Sequence, residues 1–296
     1  MSDTTASLSR KLGTAGELQS VVRTMKAVAA SSIGQYEAAV RALGDYDRTV
    51  QLGLAVCLRQ IELPPAAGPA RHDDGTGVIA AVVFGSDQGL VGQFNDVMAQ
   101  FVVKTLGAWP GKKTLWAIGE RISSRLGETD LALGKSFTLP GSIGAITPLL
   151  GQILVEIESL QESGDIAQVV VFHNSPQAGA VYSPTYQRLL PLDHVWQRDL
   201  TAMAWPTNIL PEVMNGGAAT LRAFVREYLF VSLFKACAES LASENASRLA
   251  AMQRAEKNID ELLEDLNRSF HRLRQSGIDE ELFDVISGFE ALKGSH

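Results

Sequence analysis

Proline is missing from both ends of this chain. All eleven prolines lie between Pro64 and Pro211. A proline inside a helix costs about 3 kcal/mol, so proline-free flanks around a proline-bearing centre predict two long helices enclosing a compact insert. Cysteine is scarce as well. Cys57 and Cys237 show no CxxC or metal-ligand spacing, which points to a reduced, cytoplasmic protein with two free thiols. An excess of basic charge is absent: a formal net charge of -7 and a pI near 5.3 argue against general nucleic-acid binding. No apolar run approaches the roughly 18–20 residues that span a bilayer, and the first residues lack the apolar core of a signal peptide. What remains, 296 residues at 46% hydrophobic and 20% charged, suffices for one or two domains with a sizeable core.

After Pro211 the chain is rich in Ala, Leu, Glu and Arg, which lose least on entering a helix. Ile259, Leu262, Leu266, Phe270 and Leu273 recur at steps of three or four with Leu263 alongside, the seam of a helix packed on a helix. Continuous from 218 to 288, such a helix would be on the order of 105 Å long, more than one ordinary domain buries. At the other end Leu18, Val22, Met25, Ala29, Ile33, Tyr36, Val40 and Leu43 keep a period of roughly 3.6. Gly34, Gly44 and Gly53 mark either close helix approach or curvature. The segment stops at Pro64-Pro65, and residues 64–77 read as a Gly/Pro-rich linker.

From Gly77 the pattern changes. Val78–Phe84 and Thr114–Ile118 are short continuous apolar runs, the look of strands buried on both faces. Phe94–Leu106 and Glu120–Leu126 read as helices, and Thr147-Pro148 as the start of another, running to about Ser163. Val169–His173 and Tyr182–Leu190 are further strands. Alternating strands and helices predict a Rossmann-like α/β insert with a mostly parallel sheet. The whole fold is then α/β plus a long antiparallel coiled coil of the N- and C-terminal helices. Its boundaries are 1–63 for the first helix, 64–77 for the linker, 78–205 for the α/β domain and 206–296 for the second helix. If Cys57 lies near Gly216, paired positions sum to about 273, and roughly the last 20 residues overhang. That overhang carries Ile278, Leu282, Val285, Ile286 and Phe289 on one stripe, which a partner sleeve would cover.

Chemical motifs are few. Gly134-Lys135-Ser136 ends like a phosphate loop, but Thr129 stands where its first glycine belongs. Gly85–Gly92 has neither dinucleotide nor nucleophile-elbow spacing. It reads as a strand-to-helix turn with Ser86 or Asp87 capping backbone N–H groups. The five histidines form no ligand cluster, and His194 beside Asp193 reads as a solvated loop pair. Asn245-Ala-Ser and Asn267-Arg-Ser match the glycosylation pattern inside a helix, by chance. Asp279, Glu280, Glu281 and Asp284 face away from the terminal stripe and suit either solvent or a partner.

Four stretches carry a resemblance. Met25-Lys-Ala-Val-Ala-Ala-Ser31, Ser86-Asp-Gln-Gly-Leu-Val-Gly-Gln-Phe-Asn95, Glu239-Ser-Leu-Ala-Ser-Glu-Asn-Ala-Ser-Arg248 with Met252, and Arg274-Gln275 with Ile278 and Glu281-Leu282 resemble motifs of the gamma subunit of F-type ATP synthases. The resemblance implies a non-catalytic central-stalk rotor on the cytoplasmic face of the bacterial inner membrane, with no cofactor or metal of its own. Its implied partners are the alpha and beta subunits of the catalytic hexamer, an epsilon subunit and the c-ring, with the membrane reached only through them. By motif match, Met25, Arg274, Gln275, Ile278 and Glu281 are the implied partner-contact residues. Ser32-Ile33-Gly34-Gln35, Gln88, Val91 and Asp279 depart from the family pattern and suggest a divergent branch, such as an alternate or sodium-pumping enzyme. An α/β hydrolase with helical arms and a coiled-coil scaffold are the rival readings.

Overall fold

A computed structural model describes residues 4–60, 77–164, 166–177, 179–192, 194–209, 211–213 and 217–293. The predicted linker, apart from Gly77, lies outside these. Two long helices, α1 (Thr5–Gln60) and α6 (Gly217–Lys293), enclose β1 (Val78–Phe84), α2 (Phe94–Gly107), β2 (Lys112–Ile118), α3 (Glu120–Gly127), β3 (Leu133–Phe137), α4 (Ile143–Glu162), β4 (Ile166–Gln177), β5 (Ala180–Leu190) and α5 (His194–Ala202). The chain forms two compact units. One joins the residues up to Ala29 with those from Leu249; the other comprises Ala30–Arg248.

In the larger unit the strands lie in the order β3-β2-β1-β4-β5, all parallel except the last, antiparallel pair. Because side chains alternate across a strand, Ala80, Val82, Phe84, Val169 and Val171 face one layer, built from α4 and parts of α1 and α6. Ile79, Ala81, Val83, Val170 and Phe172 face the other, under α2 and α3. Burial on both faces is why β1 and β4 read as continuous apolar runs rather than alternating ones.

Three elements differ from the sequence expectation. β3 (Leu133–Phe137) is an exposed edge strand containing the phosphate-loop look-alike. Helix α4 starts at Ile143, after Ser142, so Thr147 is no cap and Pro148 sits inside the helix. That helix is long and apolar enough to cross a membrane, yet its row Ile146, Leu150, Ile153 and Ile157 is buried against the sheet, as in a core helix. His194 opens α5 rather than lying in a loop; Asp193 is outside the described residues. A Cβ on Gly53 would lie 2.3 Å from the Phe224 ring, so this glycine marks close approach of α1 and α6, whereas Gly34 and Gly44 meet nothing within 4 Å.

In the smaller unit α1 and α6 run antiparallel. Buried or half-buried residues on α1 recur at every seventh position, as Leu8, Ala15, Val22 and Ala29, with Leu12, Gln19 and Lys26 between. Helix α6 answers with Met252, Ile259, Leu266 and Leu273, and with Glu256, Leu263 and Phe270. A strict seven-residue repeat is the coiled-coil seam. It excludes Leu18 and Leu262, which the sequence expectation placed inside; they are 52% and 50% exposed.

Candidate interaction surfaces

Three hydrogen bonds fix how the two helices align in the smaller unit. Gln19 Nε2 donates to Asp260 Oδ1, Arg23 Nε to Glu256 Oε1 at 3.1 Å, and Lys26 Nζ to Glu256 Oε2 at 2.5 Å. Paired positions therefore sum to about 280 here, against the expected 273. Thr5, the first residue of α1, comes level with the neighbourhood of Gln275. Beyond that level α6 continues with no described α1 residue beside it.

The five predicted contact residues all belong to this unit but do not form one site. Met25 is half-buried beside the seam, and Arg274, Gln275, Ile278 and Glu281 are exposed on α6. Met25 is level with residues near 255, so it lies about 28 Å along the helix axis from Arg274. Gln275 Nε2 reaches Asp279 Oδ1 at 3.4 Å. Past them the apolar stripe is open to solvent: Ile278, Leu282, Val285 and Ile286, joined by Phe283, are 45–70% exposed. Phe289 is outside the described side chains. Asp279, Glu280, Glu281 and Asp284 are exposed too. The sequence expectation missed a second open apolar row, Leu18, Val21 and Val28 on α1 with Leu262 on α6. Choosing a repeat of seven instead of 3.6 would have exposed it.

In the larger unit the motif Glu239–Arg248 packs α6 into the α/β fold. Ser240, Leu241, Ala242, Ser243 and Glu244 are each no more than 4% exposed. Ser243 Oγ donates to Asn174 O at 3.0 Å, and Ser247 Oγ to Val91 O at 2.6 Å. The Gly85–Gly92 turn is thus a dock for α6. It is held by Asn95, whose Oδ1 accepts from Ser86 N and whose Nδ2 donates to Ser86 Oγ. Asp87 caps as expected, but on α3: its Oδ1 accepts from Glu120 N at 2.9 Å. Asn245 is buried with Nδ2 on Leu241 O, which closes that glycosylation match. Burial pushes the Glu244 carboxyl up, opposed by its ion pair with Arg248 at 2.6 Å. Cys57 and Cys237 are buried free thiols.

One buried polar cluster was not legible in the sequence. Glu239 Oε2 accepts from His173 Nε2 at 2.9 Å and from Ser175 Oγ at 2.8 Å, tying α6 to β4. Burial pushes the Glu239 carboxyl up. The hydrogen bonds from His173 and Ser175, with the attraction of His173 and Lys235, outweigh it and leave the group below the usual glutamate value. A depressed carboxylate pKa stabilises the fold fully above the unfolded value near 4.5, and that stability fades as pH falls through the folded value. Glu239→Gln is therefore expected to lose about 1–3 kcal/mol at neutral pH. The deficit should shrink as pH falls from about 4.5 through the depressed folded value, where the wild-type carboxylate itself takes up a proton. Urea unfolding of both chains across that range is the check; a pH-independent deficit would assign the loss to shape rather than charge.

Comparison with known proteins agrees with this arrangement. A family model described as ATP synthase matches residues 4–292. The ATP synthase gamma chain of Salinibacter ruber is 28% identical over 294 residues, covering 93% of this chain and 94% of that one. That of Moorella thermoacetica is 24% identical over 288 residues, covering 97% and 98%. Among solved structures, a chain of the Euglena gracilis mitochondrial ATP synthase OSCP/F1/c-ring in rotational state 3 superposes with a TM-score of 0.63 at 14% identity, covering 97% of this chain and 94% of that one. A chain of the Tetrahymena thermophila mitochondrial ATP synthase central stalk and c-ring gives 0.55 at 21% identity, covering 79% and 99%. At such identities the structures speak for the fold. A family match over residues 4–292 defines the class, a subunit of an ATP synthase. The chain belongs to the ATP synthase gamma-chain family.

Proposed function

We propose that this chain is the rotating central stalk of a membrane-bound F-type ATP synthase. The observation that carries it is α6 itself. One continuous helix of 77 residues is buried in the α/β fold at Ser240–Asn245 and presents an exposed apolar stripe from Ile278 to Ile286. A helix fixed so firmly at one stretch and bare at another suits the transmission of force to a surrounding sleeve.

The sleeve is the hexamer of alpha and beta subunits. Met25, Arg274, Gln275, Ile278 and Glu281, with the open row Leu18, Val21, Val28 and Leu262, meet it. Residues 1–63 and 206–296 form the shaft and 78–205 the foot, which rests with an epsilon subunit on the c-ring; 64–77 is the linker. The subunit is peripheral, held on the cytoplasmic face of the bacterial inner membrane through these partners. It makes and breaks no bonds. An asymmetric shaft cannot touch three catalytic sites alike, so its angle biases each among states of different nucleotide affinity, a coupling free energy between remote sites. Ion flow through the ring turns the shaft, and the bias travels round. The relatives' names and the length of the match favour this reading over a hydrolase or a scaffold.

The test is assembly with the alpha and beta subunits, a bead fixed to the foot, and added ATP. Unidirectional stepwise rotation is expected. A chain that instead forms a stable symmetric dimer and ignores the hexamer would support the scaffold reading.

A further inference from the structure

Leu90 costs the fold stability and gives the core little in return. Its φ is 62°, and among the described residues no other non-glycine residue has a positive φ. A Cβ in the left-handed region crowds the backbone, so glycine, and after it asparagine, usually takes such a place. The leucine side chain is also 61% exposed. The apolar anchor of the turn is its neighbour Val91, 2% exposed, whose carbonyl receives Ser247 of α6. At position 90 the fold requires a backbone conformation, not a leucine.

That conformation is held from several sides. Ser86 Oγ accepts from Asn95 and donates to Gln88 O at 3.0 Å. Asp87 accepts from Glu120 N at 2.9 Å and from Leu139 N at 3.3 Å. Arg121 N donates to Ser86 O at 2.9 Å. An exposed apolar side chain therefore stands on a rigid support beside Ser247. The guanidinium of Arg121, exposed as well, comes within 3.9 Å of where a Cβ on Gly89 would lie. Strain that persists because its surroundings over-determine it, and that the core does not use, marks a side chain used outside the fold.

We infer that Leu90 is a docking knob that seats in an apolar socket on the hexamer of alpha and beta subunits, where a hexamer carboxylate meets Arg121. The inference rests on the rotor reading and adds to it a contact made by the α/β fold rather than by the coiled coil. A knob fixed before docking loses little freedom on seating. Covering the open part of a leucine is worth roughly tenfold in affinity.

Substitutions at position 90 separate the backbone from the side chain. Leu90→Asn suits the left-handed backbone and removes the knob, so the free chain should melt about 1–4 °C higher than wild type. In the complete enzyme in vesicles the same variant should lower ion pumping per ATP hydrolysed several-fold. Leu90→Met keeps an apolar knob on the same backbone and should pump like wild type without the gain in melting temperature. A photo-crosslinker on Leu90→Cys should join to an alpha or beta subunit; Cys57 and Cys237 are buried, so the label goes to position 90. A Leu90→Asn enzyme that pumped like wild type would overturn the inference and leave the rotor reading standing. So would a photoproduct confined to the epsilon subunit or the ring. A Leu90→Asn chain melting well below wild type would make the leucine a structural residue and overturn it as well. Failure of the wild-type chain to rotate in the hexamer would remove the rotor reading and the socket together.

Discussion

Replacing Gly85 with alanine is expected to destabilise the α/β unit by about 2–5 kcal/mol. Gly85 follows β1, and its N–H donates to Ile118 O at 2.9 Å. An added Cβ would lie 2.2 Å from Ile122 Cβ, 2.4 Å from its Cγ2 and 2.8 Å from Asn95 Oδ1. Ile122 Cβ is bound directly to the α3 backbone and has no rotamer that withdraws it. Either α3 or the end of β1 must move. Movement there strains the buried Ser86–Asn95 pair of hydrogen bonds, whose loss leaves polar atoms without water or partner. It also shifts Val91, whose carbonyl receives Ser247 of α6. The damage therefore extends from the turn to the docking of the long helix. Urea unfolding followed by tryptophan fluorescence reads the change through Trp116 of β2, which is buried in the unit. Gly34→Ala is the opposite control. A Cβ there meets nothing within 4 Å on a helical backbone, so the chain should gain up to about 1 kcal/mol. Equal effects at the two positions would disprove the steric argument.

The same turn shows what a sequence can carry. Burial on both faces writes itself into composition, so β1, β2 and the core of β4 stood out as apolar runs, and their neighbouring helices followed. Edge strand β3 has almost no such signature: Gly134, Lys135 and Ser136 are exposed, and Lys135 pairs with Glu156 on the surface. The start of α4 failed for a different reason. Thr147-Pro148 is a good local cap, but the apolar row begins at Ile146, and packing on the sheet extends the helix one turn earlier. Periods of 3.5 and 3.6 differ by only about a tenth of a residue per turn, so adjacent residues such as Leu18 and Gln19 compete for one place in the pattern. That single position moved Leu18 and Leu262 from the seam to the open surface. Tertiary polar pairing left no local trace at all. His173 and Glu239 are 66 residues apart, and nothing near either announces the other. The motif 239–248 was legible as a resemblance, yet its physical reason, small residues packing α6 into the fold, needed coordinates.

Replacing both Arg274 and Gln275 with alanine is expected to lower coupled activity several-fold without changing the fold. Both side chains are exposed on α6, and the hydrogen bond from Gln275 to Asp279 at 3.4 Å is a weak one between exposed groups. Surface changes of this kind leave stability within about 0.5 kcal/mol, so the melting temperature should hold. Their place matters more. Thr5 is level with this stretch, and beyond it α6 has no described α1 residue alongside. In the rotor reading this is where the shaft meets the collar as a single helix. A guanidinium there makes charge-assisted hydrogen bonds to collar carboxylates or carbonyls. Contacts of that type are worth about 1–3 kcal/mol, enough to change how often rotation and catalysis stay in step. The contacts that hold nucleotide at one catalytic site are untouched by these changes, so single-site affinity should fall less than pumping does. ATP-driven ion pumping in reconstituted vesicles should fall several-fold while the complex still assembles. Met25→Ala, some 28 Å away along the axis, should act independently, the two losses adding in free energy. A double variant that assembled and pumped like wild type would remove these residues from the contact. Loss of pumping through dissociation of the complex would make them assembly residues instead.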